Sequence, residues 1–179
     1  MKTETLLNQD LITSVSPVFI GLLADLLIKK GIFLATAESC TGGLISAACT
    51  DLAGSSAWFE RGFVSYSNAA KTELLGVDAA LIAQHGAVSE EVARAMAQGA
   101  IAGSKAQVAV AVTGVAGPTG GSKRRPVGTV WFGWSVGGVV SSECMQFAGD
   151  RAAVRAATVR YALSRLVELL AYCSGPLKY

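Results

Sequence analysis

Histidine is nearly missing from this chain. Only His85 stands among 179 residues, so a serine–histidine–acid hydrolase would have one candidate base. His85 sits before Gly86 at a helix-end pattern, where capping is the plainer role. The four cysteines, Cys40, Cys49, Cys144 and Cys173, form no C-x-x-C pair. With a single histidine, they speak against a zinc site. Cys49 and Cys144 read as small buried hydrophobes. An excess of one charge is lacking too. Fifteen Lys+Arg against 13 Asp+Glu leave +2, too little to argue for a nucleic-acid or anionic membrane partner. No uninterrupted apolar run reaches the length of a membrane span. The best stretch, residues 18–28, contains Asp25 and runs into Lys29-Lys30. Glu4 and Asp10 make the N-terminus a poor signal peptide, so a cytoplasmic protein is expected.

What is present is a moderately apolar chain, 51% hydrophobic and 16% charged, with 20 glycines in a few clusters. That suits one domain over residues 1–179, with 1–15 as an extension and 174–179 as a tail. Helix spacing runs over 17–30. A short apolar strand at 32–36 follows, then a helix reaching about residue 51. A strand at 58–66 precedes helices at 68–75 and 78–84, the second capped by Asp78. Ser89, followed by Glu90 and Glu91, opens a helix ending near Gly103. The run Val108-Ala109-Val110-Ala111-Val112 reads as a central strand buried on both faces. Strands at 127–136 and 139–147 are joined by Gly137-Gly138, a hairpin signal. Asp150 caps a last helix over 151–172. The order predicts a mixed sheet with helices on both faces.

Three clusters could carry chemistry. Thr36-Ala37-Glu38-Ser39-Cys40-Thr41-Gly42-Gly43 lies at a strand-to-helix turn, where helical N–H groups could hold an oxyanion. Ser39 is a candidate nucleophile. Serine before a helix is also a common N-cap. Cys40 is a rival nucleophile, with a thiol pKa expected to be lowered at a helix N-terminus. Lysine can act as base when burial lowers its pKa, and Lys71 follows Tyr66 closely enough for both to enter one cleft. A solvated lysine and a packed tyrosine are the bland alternatives. The loop 114–121 is glycine-rich yet carries neither a Walker A pattern nor G-x-G-x-x-G, so ATP hydrolysis and dinucleotide redox are discounted. Thr113 and Gly114 could still serve a ligand. The basic segment 123–126 reads as a solvated tip. Arg151, unfavourable in a first helical turn, either meets an anion or makes a surface ion pair.

Taken together, these segments resemble one family, the C-terminal domain of the competence/damage-inducible protein CinA. The resemblance rests on residues 36–43, Gly54-Ser55-Ser56 with Trp58-Phe59, Tyr66-Ser67-Asn68 with Lys71, and Gly86-Ala87-Val88-Ser89. Further along come Thr113-Gly114, Ala116-Gly117-Pro118, residues 126–130 and Gly149-Asp150-Arg151. It spans roughly residues 22–166. It implies a three-layer α/β/α sandwich with a mixed, mostly parallel five-stranded sheet. It further implies hydrolysis of nicotinamide mononucleotide to nicotinate mononucleotide and ammonia, without metal or cofactor. Ser39 would be the nucleophile, Lys71 the base and Tyr66 its partner. Cys40, Thr41, Gly42, Gly43, Asn68, Thr113, Gly114 and Arg151 would contact substrate. Position 113 is Thr where some relatives carry Ser, and the hydroxyl survives. This chain has no room for the N-terminal domain of larger members, so that domain's activity is not expected.

Two other functions fit parts of the pattern. A non-catalytic nucleotide-binding module explains the glycine loops and Arg151 but leaves Tyr66 and Lys71 idle. A serine amidase or esterase acting on another substrate would use the same serine. The apolar excess and Trp58, Trp131 and Trp134 suggest a self-interface, hence a homo-oligomer, in the simplest case a dimer.

Overall fold

The computed structural model describes residues 16–173. The expected extension at 1–15 and tail at 174–179 lie outside the described residues. Six α-helices and five strands are described: α1 Pro17–Lys30, β1 Leu34–Glu38, α2 Leu44–Thr50, β2 Phe59–Val64, α3 Asn68–Leu75, α4 Ala79–His85, α5 Glu90–Ala102, β3 Val108–Gly114, β4 Thr129–Val136, β5 Val139–Gln146 and α6 Arg151–Tyr172. None of these helices is long and apolar enough to cross a membrane.

The helix starts follow local chemistry. Ser16, Ser67, Asp78, Ser89 and Asp150 each accept a backbone N–H from the first turn of the helix they precede. Each satisfies a donor that the helix itself cannot.

β1 begins two residues later than the apolar run suggests. Ile32 N–H closes the exit from α1 onto Leu27 O, and Phe33 N–H donates to Gln107 Oε1. The strand therefore continues through Thr36 and Ala37 to Glu38, and all five of its residues are buried. The sheet order is β2-β1-β3-β4-β5. β1 pairs in parallel with β2 and β3, whereas β3–β4 and β4–β5 are antiparallel. Four strands therefore share one direction and β4 opposes them.

Strand alternation builds two unequal cores. Leu34, Val108, Val110 and Val112 face Leu23, Leu27, Ile45, Leu163 and Leu166. Ala35, Ala37, Ala109 and Ala111 face Val92, Met96, Ala97 and Ala100 of α5, with Leu75, Val77 and Ile82. Alanines on this second face let α5 sit close to the sheet. A Cβ on Gly133 would lie 2.3 Å from Ala93 O.

Trp58 and Trp134 belong to the first core, at 1% and 0% exposure. Trp134 stacks on Phe132 and donates to Ala162 O. Two of the three tryptophans are thus used inside this chain, and their number does not argue for a self-interface. Cys49 is buried as expected, but Cys144 is exposed, because it lies on the edge strand β5. Arg125 is not a solvated tip either. Its guanidinium donates to His85 O and covers Gly86.

These packing rules predict opposite signs for two glycines. Gly133→Ala should destabilise by about 2 kcal/mol, because the new methyl meets backbone that cannot yield. Gly21→Ala, in α1 with nothing within 4 Å, should stabilise by about 0.5–1 kcal/mol. Denaturant midpoints at constant m-value would measure both.

Candidate active site

The site forms where the parallel strands end. β1 is flanked by β2 on one side and β3 on the other, the kind of switch point where open α/β sheets hold ligands. Ser39 follows β1 directly, and its N–H donates to Val112 O at the end of β3. The chain then turns through Gly42 and Gly43 at φ 61° and 99°, a backbone that side-chain-bearing residues rarely adopt.

Glu38 holds this turn. It is fully buried and its carboxylate is ringed by donors. Oε2 accepts from Thr41 Oγ1 at 2.7 Å, Gly43 N at 3.0 Å and Ile45 N at 2.9 Å. Oε1 accepts from Ser46 N at 2.8 Å and Ser46 Oγ at 2.7 Å. Thr36 Oγ1 stands 2.7 Å from Ser46 Oγ. α2 has no side-chain cap from its own N-cap residue, Gly43. Glu38, five positions earlier, takes that role. β2 leaves room for this group, since a Cβ on Gly62 would come 2.2 Å from Ser46 Oγ. The first amides of α2 are therefore not free to hold an oxyanion. The Gly43, Ile45 and Ser46 amides already serve Glu38. The Cys40 and Thr41 amides, by contrast, have no backbone acceptor among the described residues.

Lys71 comes from the opposite layer. Ser67 caps α3, and Lys71 and Leu75 are the buried residues of that helix, one turn apart. Lys71 is 1% exposed. Its Nζ lies 3.0 Å from Ser39 Oγ and 2.9 Å from Ser65 O. It forms no ion pair among the described residues. Burial pushes its pKa below the ordinary 10.5, since desolvation penalises the charged form. Ser65 Oγ beside it is buried without a partner.

Strand parity explains why the two buried ionisable groups do not pair. Glu38 shares its face of β1 with Leu34 and Thr36, toward α2 and α6. Ser39 follows the parity of Ala35 and Ala37, toward α3. Cys40 is 6% exposed, and burial pushes its thiol up to about 12, the reverse of the expected lowering. At neutral pH the thiol stays protonated.

The other expected residues are placed around this pair. Tyr66 is 60% exposed, and its hydroxyl accepts from Arg151 Nη2 at 3.0 Å. The second partner of Lys71 is thus the Ser65 carbonyl and not Tyr66. Arg151 Nη1 also donates to Gly117 O at 3.0 Å. Thr113 is buried and donates to Ala87 O at 2.8 Å, tying β3 to the α4–α5 connection. Gly114 packs against Val130 and Thr129, where a Cβ would lie 2.7 Å from a methyl of Val130. Asn68 starts α3 on the surface. His85 ends α4 before Gly86 and meets Glu91 at 3.0 Å. Sequence reading gave no task to Glu38 or Arg155. Arg155 Nη2 donates to Thr41 O at 2.7 Å. Its spacing of four from Arg151 put both on one helix face, the one available signal.

Fold and site together define a three-layer α/β/α protein with a buried serine–lysine pair at the strand ends. The model of the CinA C-terminal domain matches residues 19–170, and the chain belongs to that family. It is 60% identical over 134 residues to nicotinamide-nucleotide amidohydrolase PncC of Pseudomonas putida, covering 75% of this chain and 84% of that protein. Identity to PncC of Escherichia coli K12 is 53% over 140 residues, covering 76% and 84%. A CinA-like protein of Geobacter sulfurreducens is 53% identical over 146 residues, which is 80% of this chain and 35% of that protein. Among solved structures, competence damage-inducible protein A of Klebsiella pneumoniae superposes with a TM-score of 0.85 at 43% identity, covering 88% and 98%. The Agrobacterium tumefaciens competence/damage-inducible protein gives 0.80 at 46%, covering 87% and 98%.

Glu38→Gln would turn one acceptor into a donor facing backbone N–H groups. It should cost about 3–5 kcal/mol of stability, the range for breaking a buried charged network. Urea denaturation would measure it.

Proposed function

We propose that this chain hydrolyses the carboxamide of nicotinamide mononucleotide, giving nicotinate mononucleotide and ammonia, with residues 19–170 as the catalytic unit. The observation that carries the reading is the 3.0 Å approach of Lys71 Nζ to Ser39 Oγ, with both residues buried. The names of the relatives at 53–60% identity support the substrate.

A neutral Lys71 donates one N–H to Ser65 O and turns its lone pair to Ser39 Oγ–H. It takes that proton as Oγ attacks the carboxamide carbon. The amides of Cys40 and Thr41 are the available donors for the developing oxyanion, replacing the α2 amides that Glu38 occupies. When the tetrahedral adduct collapses, Lys71 passes the proton to the departing nitrogen, which leaves as ammonia. Water then attacks the acyl-serine by the same relay and releases the nicotinate. Thr113 and the glycine loop shape the floor, and Arg151 fixes Tyr66 over the pocket. Asn68, at the start of α3, and Gly42-Gly43 border the entrance in this reading.

Ammonia release from nicotinamide mononucleotide tests the reading. Ser39→Ala should lose roughly 10³-fold or more in kcat, while Cys40→Ala should stay within about threefold of wild type. Loss in Cys40→Ala with retention in Ser39→Ala would transfer the role to the thiol. Binding without ammonia release in the intact protein would favour a non-catalytic module. Because the unprotonated amine is the active form, kcat/KM should rise with pH through the pKa of Lys71, at a midpoint below 10.5. Lys71→Arg, which cannot deprotonate, should be inactive.

A further inference from the structure

Arg155 has no task in the reaction above, and Arg151 only that of placing Tyr66. Arg151 and Arg155 stand one helical turn apart at the start of α6 and gather the loops that follow three strands. Arg151 donates to Tyr66 Oη beyond β2 and to Gly117 O beyond β3. Arg155 donates to Thr41 O beyond β1. All three acceptors are neutral, and neither guanidinium has a carboxylate partner among the described residues. Two positive charges are thus brought together with no ion pair to either among the described residues.

They line a cleft of about 630 Å³ between α6 and the glycine loop, with Ala116, Pro118 and Val127 on the facing wall. Asp150 is the acid in its lining, and its Oδ1 is engaged by the N–H of Ala153 as the helix cap. Arg155 Nε is buried without an acceptor, so the fold does not satisfy that guanidinium fully. Apolar walls keep the field of the two cations strong. A guanidinium pair of this kind suits a phosphate monoester, which carries about −1.5 to −2 charge at neutral pH and accepts paired N–H bonds.

We infer that Arg155, together with Arg151, receives the phosphate of the substrate and makes the site select a mononucleotide over the corresponding nucleoside. The inference rests on the amide hydrolysis proposed above. It assigns Arg155 as a specificity-determining residue. The cleft adjoins the reacting serine, because the guanidinium that lines it also holds the carbonyl two residues past Ser39. A phosphate there leaves the rest of the ligand reaching across Thr41 toward Ser39.

The test compares nicotinamide mononucleotide with nicotinamide riboside in wild type, Arg155→Gln and Arg155→Lys. In Arg155→Gln the ratio of their kcat/KM values should fall roughly tenfold, the loss of one charge-assisted contact. The change should sit mainly in the KM for the mononucleotide, and Arg155→Lys should recover part of it. An unchanged ratio, with kcat lowered equally on both substrates, would mean that Arg155 only holds the serine turn and would overturn the inference. Should Arg155→Gln fail to fold, wild type decides. Inorganic phosphate should inhibit mononucleotide hydrolysis competitively and leave riboside hydrolysis uninhibited; absence of competition would overturn the inference. Calorimetric titration of inorganic phosphate separates this from the reaction itself. Binding in wild type that weakens roughly tenfold in Arg155→Gln upholds the receptor even if no amide is cleaved.

Discussion

The site depends on an amine buried without a counter-ion. Removing an ammonium from water is costly, and a lysine so placed relieves the cost by losing its proton. A carboxylate in contact would restore the charge and end its use as a base. Lys71 has carbonyl and hydroxyl neighbours, Ser65 and Ser39, and no ion-paired acid among the described residues. The single glutamate in the serine segment, Glu38, is turned to the other side of the sheet and is saturated by backbone and hydroxyl donors. One strand thus delivers a stabilising charge to one layer and a nucleophile to the other through side-chain alternation alone.

This division also explains the energetics of the turn. A seven-residue helix is too short to persist by itself, and α2 starts at a glycine with no cap of its own. The carboxylate of Glu38 binds its first amides and fixes the turn that carries Ser39. Thr36, Ser46 and Gly62 complete a small polar cluster beneath it. The hydrophobic layers around the cluster are ordinary, whereas the cluster sets the position of the reactive oxygen.

Much of the fold was legible because its signals are local. Caps at Asp78, Ser89 and Asp150 act on their own helices, and the Gly137-Gly138 turn joins adjacent strands. The continuous apolar run of β3 announced a strand buried on both faces. The serine and the lysine could be singled out, since a hydroxyl at a strand-to-helix turn and a lysine early in a helix are recognisable types. What escaped is set by contacts distant in sequence. Glu38 looked like a turn residue, since nothing local says that a buried glutamate will cap a helix from inside a strand. Cys40 was expected to be acidic from its place near a helix start, but burial outweighs a dipole whose amides are already bound. Cys144 looked like core because apolar strands usually are, and only the sheet order puts it on an edge. Arg125 and Arg155 reach 40 and 114 residues away for their partners.

The central claim is the protonation state of one amine, so its titration is the most direct measurement. Heteronuclear NMR of lysine side-chain nitrogens across pH should show one resonance titrating below the ordinary 10.5 and missing from Lys71→Met. If every lysine in the folded protein titrates near 10.5, the ordinary value, Lys71 is a charged residue at neutral pH and cannot be the base that activates Ser39.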